Sequence, residues 1–250
     1  MGGQVNTNTT HGQTNFDGST LSVSQANTTA GFSIVTYTGT GSNATVGHGL
    51  NSAPQIVLLK GRSNSGDWQM YNTNLSGTNK TISINTSDAA NTESSPYYSF
   101  NNTAPTSTVF SLGSGNTTNG SSRTFVAYCF AEIQGYSKFG SYTGNGNADG
   151  TFVYLGFKPA WVMVKLSSGS GEDWHMFDSK RSTSNVVKER LIANGIAAEN
   201  ANDSILDFLS NGFKFRENNA GWNGNNNTYI YMAFAEHPFV SSEGVPTTAR

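Results

Sequence analysis

Charge is scarce in this sequence. Asp, Glu, Lys and Arg make up 12% of its 250 residues, about half the usual share, and the formal net charge is −2. A nucleic-acid binder needs clustered Lys and Arg to displace counterions from phosphates, and no such cluster occurs. The same shortage argues against electrostatic attachment to acidic membranes. Cysteine is scarcer still. Cys129 stands alone, so no disulfide forms within the chain, and its place inside an apolar run suits a small buried hydrophobe. Long apolar runs are missing too: none reaches the roughly 20 residues of a membrane-spanning helix. Met1 is not followed by the basic and then apolar segment of a secretion signal. Neither nucleic acid nor membrane insertion is expected.

Asn, Thr, Ser and Gly take the place of charge. They solubilise without strong fields and suit turns, through side-chain bonds to the local backbone and tolerance of positive φ. Most apolar runs between them are short and bounded by Gly, Asn, Ser or Pro, the pattern of strands and turns. Ile56 to Leu59 and Trp161 to Val164 are apolar at successive positions, which predicts burial on both faces. Phe125, Ala127, Cys129 and Ala131 fall on one side of a strand, with Val126, Tyr128 and Phe130 on the other, as in a central strand between layers. Asn211-Gly212 between Phe208-Leu209 and Phe213-Lys-Phe215 signals a tight hairpin. The fold class expected is all-β, with β-sandwich or jelly-roll-like units.

One unit occurs twice. Tyr37-Thr-Gly-Thr-Gly41 matches Tyr142-Thr-Gly-Asn-Gly146, and Pro54-Gln-Ile-Val-Leu-Leu-Lys60 matches Pro159-Ala-Trp-Val-Met-Val-Lys165. Gly66-Asp-Trp-Gln-Met-Tyr71 answers Glu172-Asp-Trp-His-Met-Phe177, and Thr124-Phe-Val-Ala-Tyr-Cys-Phe-Ala-Glu132 answers Thr228-Tyr-Ile-Tyr-Met-Ala-Phe-Ala-Glu236. The four matches keep their order and lie 104 to 106 residues apart, so the expectation is two tandem homologous repeats, 31–133 and 134–239. Residues 1–30 then read as an arm or linker, with weak alternation near Leu21-Ser-Val23, and 240–250 as an exposed tail. A short helix is predicted only in the second repeat: Ser184 or Asn185 caps it, Val186, Val187 and Leu191 form its stripe, and Gly195 ends it. The matching stretch near Thr81-Ile-Ser-Ile84 reads as a strand.

Chemistry is thin. His11, His48, His175 and His237 are scattered, which argues against zinc, and Asp149-Gly150 and Glu172-Asp173 lack the spaced acidic series of a calcium loop. Gly169-Ser-Gly171 lacks the context of a nucleophile elbow. Gly39-Thr-Gly41 and Gly144-Asn-Gly146 lack the lysine and helix of a phosphate cradle and read as hairpin turns. No catalytic residue, metal or cofactor is assigned. Glu132 and Glu236 close matching strands; each is expected to pair with the lysine of its own repeat, Lys60 or Lys165, or to accept backbone donors. Trp68 and Trp174 read as core. Trp222 lies amid Asn and Gly, so with Asn223 and Asn225 it is the candidate glycan or receptor contact. An indole there stacks on a sugar ring while amides bond its hydroxyls, or it folds back as a lid on the core.

The phrase Gly31-Phe-Ser-Ile-Val-Thr-Tyr-Thr-Gly-Thr-Gly41, then Val46-Gly-His-Gly-Leu50 and Ala53-Pro54, resembles a duplicated domain of structural, tail-fibre-like proteins of marine tailed bacteriophages. Gly140-Ser-Tyr-Thr-Gly-Asn-Gly146, Asp207-Phe-Leu-Ser-Asn-Gly-Phe-Lys214, Ala233-Phe-Ala-Glu-His-Pro-Phe239 and Gly244-Val-Pro-Thr-Thr-Ala-Arg250 carry the same likeness. The resemblance covers most of 31–250. It implies a non-enzymatic component of the virion surface, assembled in the host cytoplasm and released by lysis, and it transfers no catalytic residue. The partners expected are other virion proteins, a host-surface glycan and further copies of the chain in a symmetric homo-oligomer such as a trimer. Capsid decoration is the neighbouring reading. A glycan-cleaving depolymerase with two facing carboxylates and a secreted adhesin filament subunit are the rivals from other classes.

Overall fold

The computed structural model describes residues 4–5, 12–95, 98–201 and 203–236. The chain is all-β, in several antiparallel sheets, and divides into two units: residues 1–84 with 90–132, and residues 85–89 with 133–250. Among the described residues no helix is long and apolar enough to cross a membrane.

Unit 1 holds β1 (Gln4–Val5), β2 (Gln13–Asn15), β3 (Ser22–Asn27), β4 (Phe32–Thr38), β5 (Ala44–Gly47), β6 (Ile56–Gly61), β7 (Gln69–Asn72), β8 (Lys80–Ser83), β9 (Asn91–Thr92), β10 (Val109–Leu112), the one-turn α1 (Asn116–Asn119) and β11 (Thr124–Phe130). One sheet runs β1-β2-β3-β4-β11-β6-β7-β8-β9 and a smaller one pairs β10 with β5. Their inner faces share one core, with Val35 and Tyr37 of β4, Val57 and Leu59 of β6, Phe125, Ala127 and Cys129 of β11, Val46 of β5 and Phe110 of β10. β11 is the central strand its alternation predicts. Ala127 lies opposite both Val35 and Leu59, and small side chains there leave room for the aromatic rings of the facing layer. Cys129 is fully buried, and burial pushes its thiol pKa up.

Unit 2 holds β12 (Ser137–Thr143), β13 (Phe152–Tyr154), β14 (Pro159–Leu166), β15 (His175–Asp178), β16 (Leu191–Ile192), β17 (Leu206–Leu209), β18 (Gly212–Phe215) and β19 (Thr228–Ala235). The sheets are β12-β19-β14-β15-β16 and β13-β18-β17, again closing on a shared core that includes Tyr142, Val153, Val162, Phe213 and Trp222. The strand order β12-β19-β14-β15 parallels β4-β11-β6-β7 in unit 1. The hairpin near Asn211 is present, shifted by one residue: Leu209 pairs with Gly212, leaving Ser210-Asn211 as the loop. A Cβ at 212 would lie 2.1 Å from the Val153 carbonyl oxygen, so only glycine fits.

Three expectations are corrected. Residues 184–195 form no helix. Val187 bridges Leu206, and Leu191–Ile192 pair with β15 as its edge neighbour. Two adjacent β-branched valines and an open sheet edge outweigh a single marginal helical turn or two. Residues 13–27 are no arm, because β2 and β3 extend the large sheet beyond β4. The alternation of β3 is inverted: Ser22 and Ser24 face inward, while Leu21 and Val23 face out. Finally, Gly39-Thr-Gly41 and Gly144-Asn-Gly146 are not hairpin turns. They follow β4 and β12 into strands of the other sheet.

That crossing is closed by a buried asparagine in each unit. The Asn119 amide donates to the Ser42 (2.6 Å) and Gly113 (2.8 Å) carbonyls, and its oxygen accepts from the Thr40 N–H at 2.8 Å. The Asn223 amide donates to the Asn147 (2.9 Å) and Glu217 (2.8 Å) carbonyls, and its oxygen accepts from the Asn145 N–H at 3.1 Å. Gly41 and Gly146 donate back to the Asn119 and Asn223 carbonyls at 2.8 and 2.9 Å. A carboxylate in this place keeps the shape but loses every donor and faces carbonyl oxygens. Asn223→Asp is therefore expected to destabilise the protein by about 3 kcal/mol or more, with Asn119→Asp comparable. Asn225→Asp, on an exposed side chain, should stay within about 0.5 kcal/mol in the same urea titration.

Candidate functional site

The inverted alternation of β3 places an open concavity in unit 1. With serines inside, the outer face of β2-β3-β4 carries the apolar groups. A groove of about 580 Å³ opens there, lined by Gly12, Gln13, residues 24–28, Phe32 and Ile34. Phe32 and Ile34 supply apolar surface, and Ile34 remains 38% exposed. Gln25 and Asn27 bring carboxamides from the same face, Gln13 of β2 also lines the groove, and none of the described lining residues is charged. Asn27 also fixes the β3–β4 turn by accepting the Ala30 N–H at 3.0 Å, and Gly31 at φ +64° completes that turn.

The aromatic floor continues across the sheet. Phe32 stacks on Tyr128 at 6.4 Å and tilts against Phe130 at 5.0 Å; Tyr128 in turn stacks on Trp68 at 6.1 Å. Trp68 is thus a half-buried member of an outer-face aromatic row, with the Lys60 ammonium 6.0 Å from its ring, whereas Trp174 is buried as expected. Apolar rings and carboxamides in one open groove suit a ligand that has both a C–H face and hydroxyl groups.

The residues expected to touch a glycan do not form a site. Trp222 is 1% exposed and sits in the unit 2 core, edge-on to His175 at 5.2 Å, with the Arg190 guanidinium 5.1 Å from its ring. Its carbonyl accepts the Tyr142 hydroxyl at 2.7 Å. The indole is the lid on the core, the other reading of that loop. Asn223 is fully buried in the clamp, and only Asn225 is exposed. The Asn and Gly that suggest a solvated loop are spent on internal hydrogen bonds.

The Lys–Glu pairs fail for a reason of direction. Lys60 lies opposite Val126 and Lys165 opposite Ile230, each six residues before the glutamate on the partner strand. The strands are antiparallel, so the lysine ending one sits at the far end of the other from its glutamate, about 20 Å away at ~3.4 Å per residue. Glu236 pairs instead with Lys158 at 2.7 Å. Glu132 takes its strand end through its own N–H, donated to Gln55 Oε1 at 2.7 Å. Lys60 donates to the Gly66 carbonyl. Lys165 donates to the carbonyls of Glu172 and of Ser87 (2.8 Å), and its burial lowers its pKa to about 8.

His11 and His237 lie outside the described residues, among which no group of three or more His, Cys, Asp or Glu is placed to hold a metal. His48 is structural: its Nδ1 accepts the Leu50 N–H at 3.2 Å, and its Nε2 lies 3.2 Å from the Thr106 carbonyl. His175 is buried beside Trp222. Burial first, and then the Arg190 charge, hold its pKa down at about 4, against an ordinary 6.5. The sign follows from linkage. Between pH 6.5 and 4 the unfolded chain takes up a proton that the folded chain refuses, so stability falls as pH falls through that window. The expected loss is on the order of 3 kcal/mol. Stability measured by urea titration at pH 7 and pH 4 should show it, and His175→Gln should remove most of the difference.

The groove residues Gln13, Gln25, Phe32 and Ile34 are not singled out by sequence reading. The one available signal is the Leu21-Ser22-Val23-Ser24 alternation, which does not say which set faces inward. No curated protein and no solved structure matches the chain. The family model described as Domain of unknown function (DUF7483) matches residues 6–238, a span that takes in most of both units, and the chain belongs to that family.

Proposed function

We propose that this protein is a non-enzymatic component of a bacteriophage virion surface, of tail-fibre type, that contributes to host attachment by holding a surface glycan. In this reading the two units are copies of one domain, further copies of the chain assemble into a symmetric homo-oligomer, and other virion proteins anchor it. The observation that carries the reading is the unit 1 groove. It is open and wide, carries no charge among its described lining residues, and pairs an aromatic and aliphatic floor with carboxamide side chains. Such a surface offers little to a charged ligand and much to the neutral faces of a sugar chain. The resemblance of the repeated phrases to phage structural proteins supports the compartment, and a surface rich in Asn, Thr and Ser suits exposure on a particle.

The test is adsorption of particles carrying substitutions in the groove. Ile34→Glu places a charge on the floor, and Gln13→Ala removes a carboxamide from the rim. Ile34→Glu should slow adsorption about tenfold or more, and Gln13→Ala by less, with assembly unchanged. Normal adsorption of both variants refutes the groove as the attachment site. Density for this chain spread over the capsid lattice in a map of the particle makes it a decoration protein instead.

A further inference from the structure

Unit 2 carries a surface of different chemistry on β13. This strand has the burial pattern out-in-out, with Val153 inside and the two larger side chains outside: Phe152 is 43% exposed and Tyr154 59%. Residues two apart on a strand share a face, so the two side chains leave the backbone about 7 Å apart on the same side. Gly212 lies beneath them, where a Cβ would come within 3.1 Å of Phe152 Cε2. Packing of the inner face does not require this arrangement. The strand with the same register in unit 1 puts Thr45 and Gly47 at the outward positions, either side of buried Val46. There the chain itself lies over them. Ser19 Oγ accepts the Thr45 N–H at 2.9 Å, Ser22 Oγ donates to the Gly47 carbonyl at 2.9 Å, and a Cβ on Gly47 would strike Asn15 Oδ1. Small residues are needed where chain covers the strand; in unit 2 two aromatic rings face water instead.

Lys138 of β12 sets the charge of this platform. Its Nζ donates to the Tyr154 carbonyl at 3.1 Å and lies 5.2 Å from the centre of the Tyr154 ring. An ammonium has three N–H donors, so two remain for a ligand. The neighbouring cation, Lys214, is neutralised by Asp149 at 2.6 Å, whereas Lys138 has no carboxylate partner among the described residues. The same lysine caps the edge carbonyl of Tyr154, which disfavours addition of a peptide strand there. What remains is a pair of ring faces with an uncompensated cation beside them. We propose that Phe152, Tyr154 and Lys138 form a second binding site, specific for an acidic sugar residue whose ring stacks on the aromatic pair and whose carboxylate takes the two free Lys138 donors. This rests on the reading of the protein as a glycan-binding surface component, and it adds a ligand class that the uncharged groove does not serve.

The test uses the full chain with tri-galacturonate as the acidic probe and maltotriose as the neutral one, followed by saturation-transfer NMR and calorimetric titration. Tri-galacturonate should bind with millimolar or better affinity, more weakly as salt is raised, and maltotriose at least about tenfold more weakly at this site. Phe152→Ala and Lys138→Gln should each weaken tri-galacturonate binding about tenfold or more, while Tyr154→Phe retains it. All three positions are at least partly solvent-exposed, so unchanged melting curves verify folding. Undiminished binding by Phe152→Ala and Lys138→Gln, or no binding by the wild type at ~10 mM probe, overturns the assignment. The two readings fail separately. Loss of probe binding in particles that still adsorb normally keeps the platform and removes its part in attachment. Loss of adsorption in Ile34→Glu particles with the platform inert does the reverse.

Discussion

Each unit depends on satisfying the polar backbone where the chain leaves one sheet for the other. The crossing after β4, like that after β12, brings carbonyls of several loops together at the edge of an apolar core, where water cannot serve them all. Leaving one such group unpaired costs about 1–3 kcal/mol, enough to erase a sizeable part of a small domain's stability. Asn119 and Asn223 answer this with one side chain apiece, at once donor and acceptor. A tyrosine hydroxyl completes each arrangement: Tyr37 donates to the Thr118 carbonyl at 2.5 Å and Tyr142 to that of Trp222 at 2.7 Å, the residue just before the asparagine in each unit. The Gly-x-Gly phrases exist for the same reason. A Cβ at Gly39 or Gly144 would stand 2.3 Å from the carbonyl of Gly120 or Gly224.

How much of this was legible in the sequence follows from where each signal is stored. Strands declare themselves through a period of two, so the buried run at Ile56, the central alternation of Phe125 to Ala131 and the hairpin at Asn211 could all be read. The inward or outward sense of a strand cannot be read when one set is serine and the other leucine and valine. Apolar residues normally point in, and here Ser22 and Ser24 do, with Ser22 bonded to the Gly47 carbonyl. That is why residues 13–27 look like an arm and why the groove beside them is invisible from sequence. Trp222 misleads in the opposite sense. Its Asn and Gly neighbours look like solvent-loving loop, yet Asn223 is consumed by internal bonds, and so the indole closes the core. Strand direction is a further quantity that composition does not carry, and it separates Lys60 from Glu132.

The low charge and the outward aromatic groups belong to one strategy. A monomeric soluble protein rarely leaves contiguous apolar surface uncovered, and charge is the usual way to keep such surface from associating. This chain leaves Phe16, Leu21, Val23, Ile34, Phe152 and Tyr154 substantially exposed with few charges around them. Turns rich in Asn and Thr solubilise without creating a field. A weak field leaves recognition to shape and to short-range contacts, and these fall off too quickly for long-range steering.

The contrast between the outward faces then carries the functional argument. In unit 1 the outer positions of β5 are small because chain lies over them, and the exposed apolar surface moves to β3 and β4, where carboxamides surround it. In unit 2 the corresponding strand keeps the inward valine and changes the outward side, from the covered Thr45 and Gly47 to the exposed Phe152 and Tyr154. Packing constrains the inward set in both cases, because an interior at crystal-like density tolerates little change in volume. Packing of the inner face does not select aromatic rings at the outer positions of β13. In the proposed site, a ring held at the surface beside a lysine with no carboxylate partner among the described residues gains its value from a ligand, and its place on a strand with a locked inner face would hold that ligand rigidly.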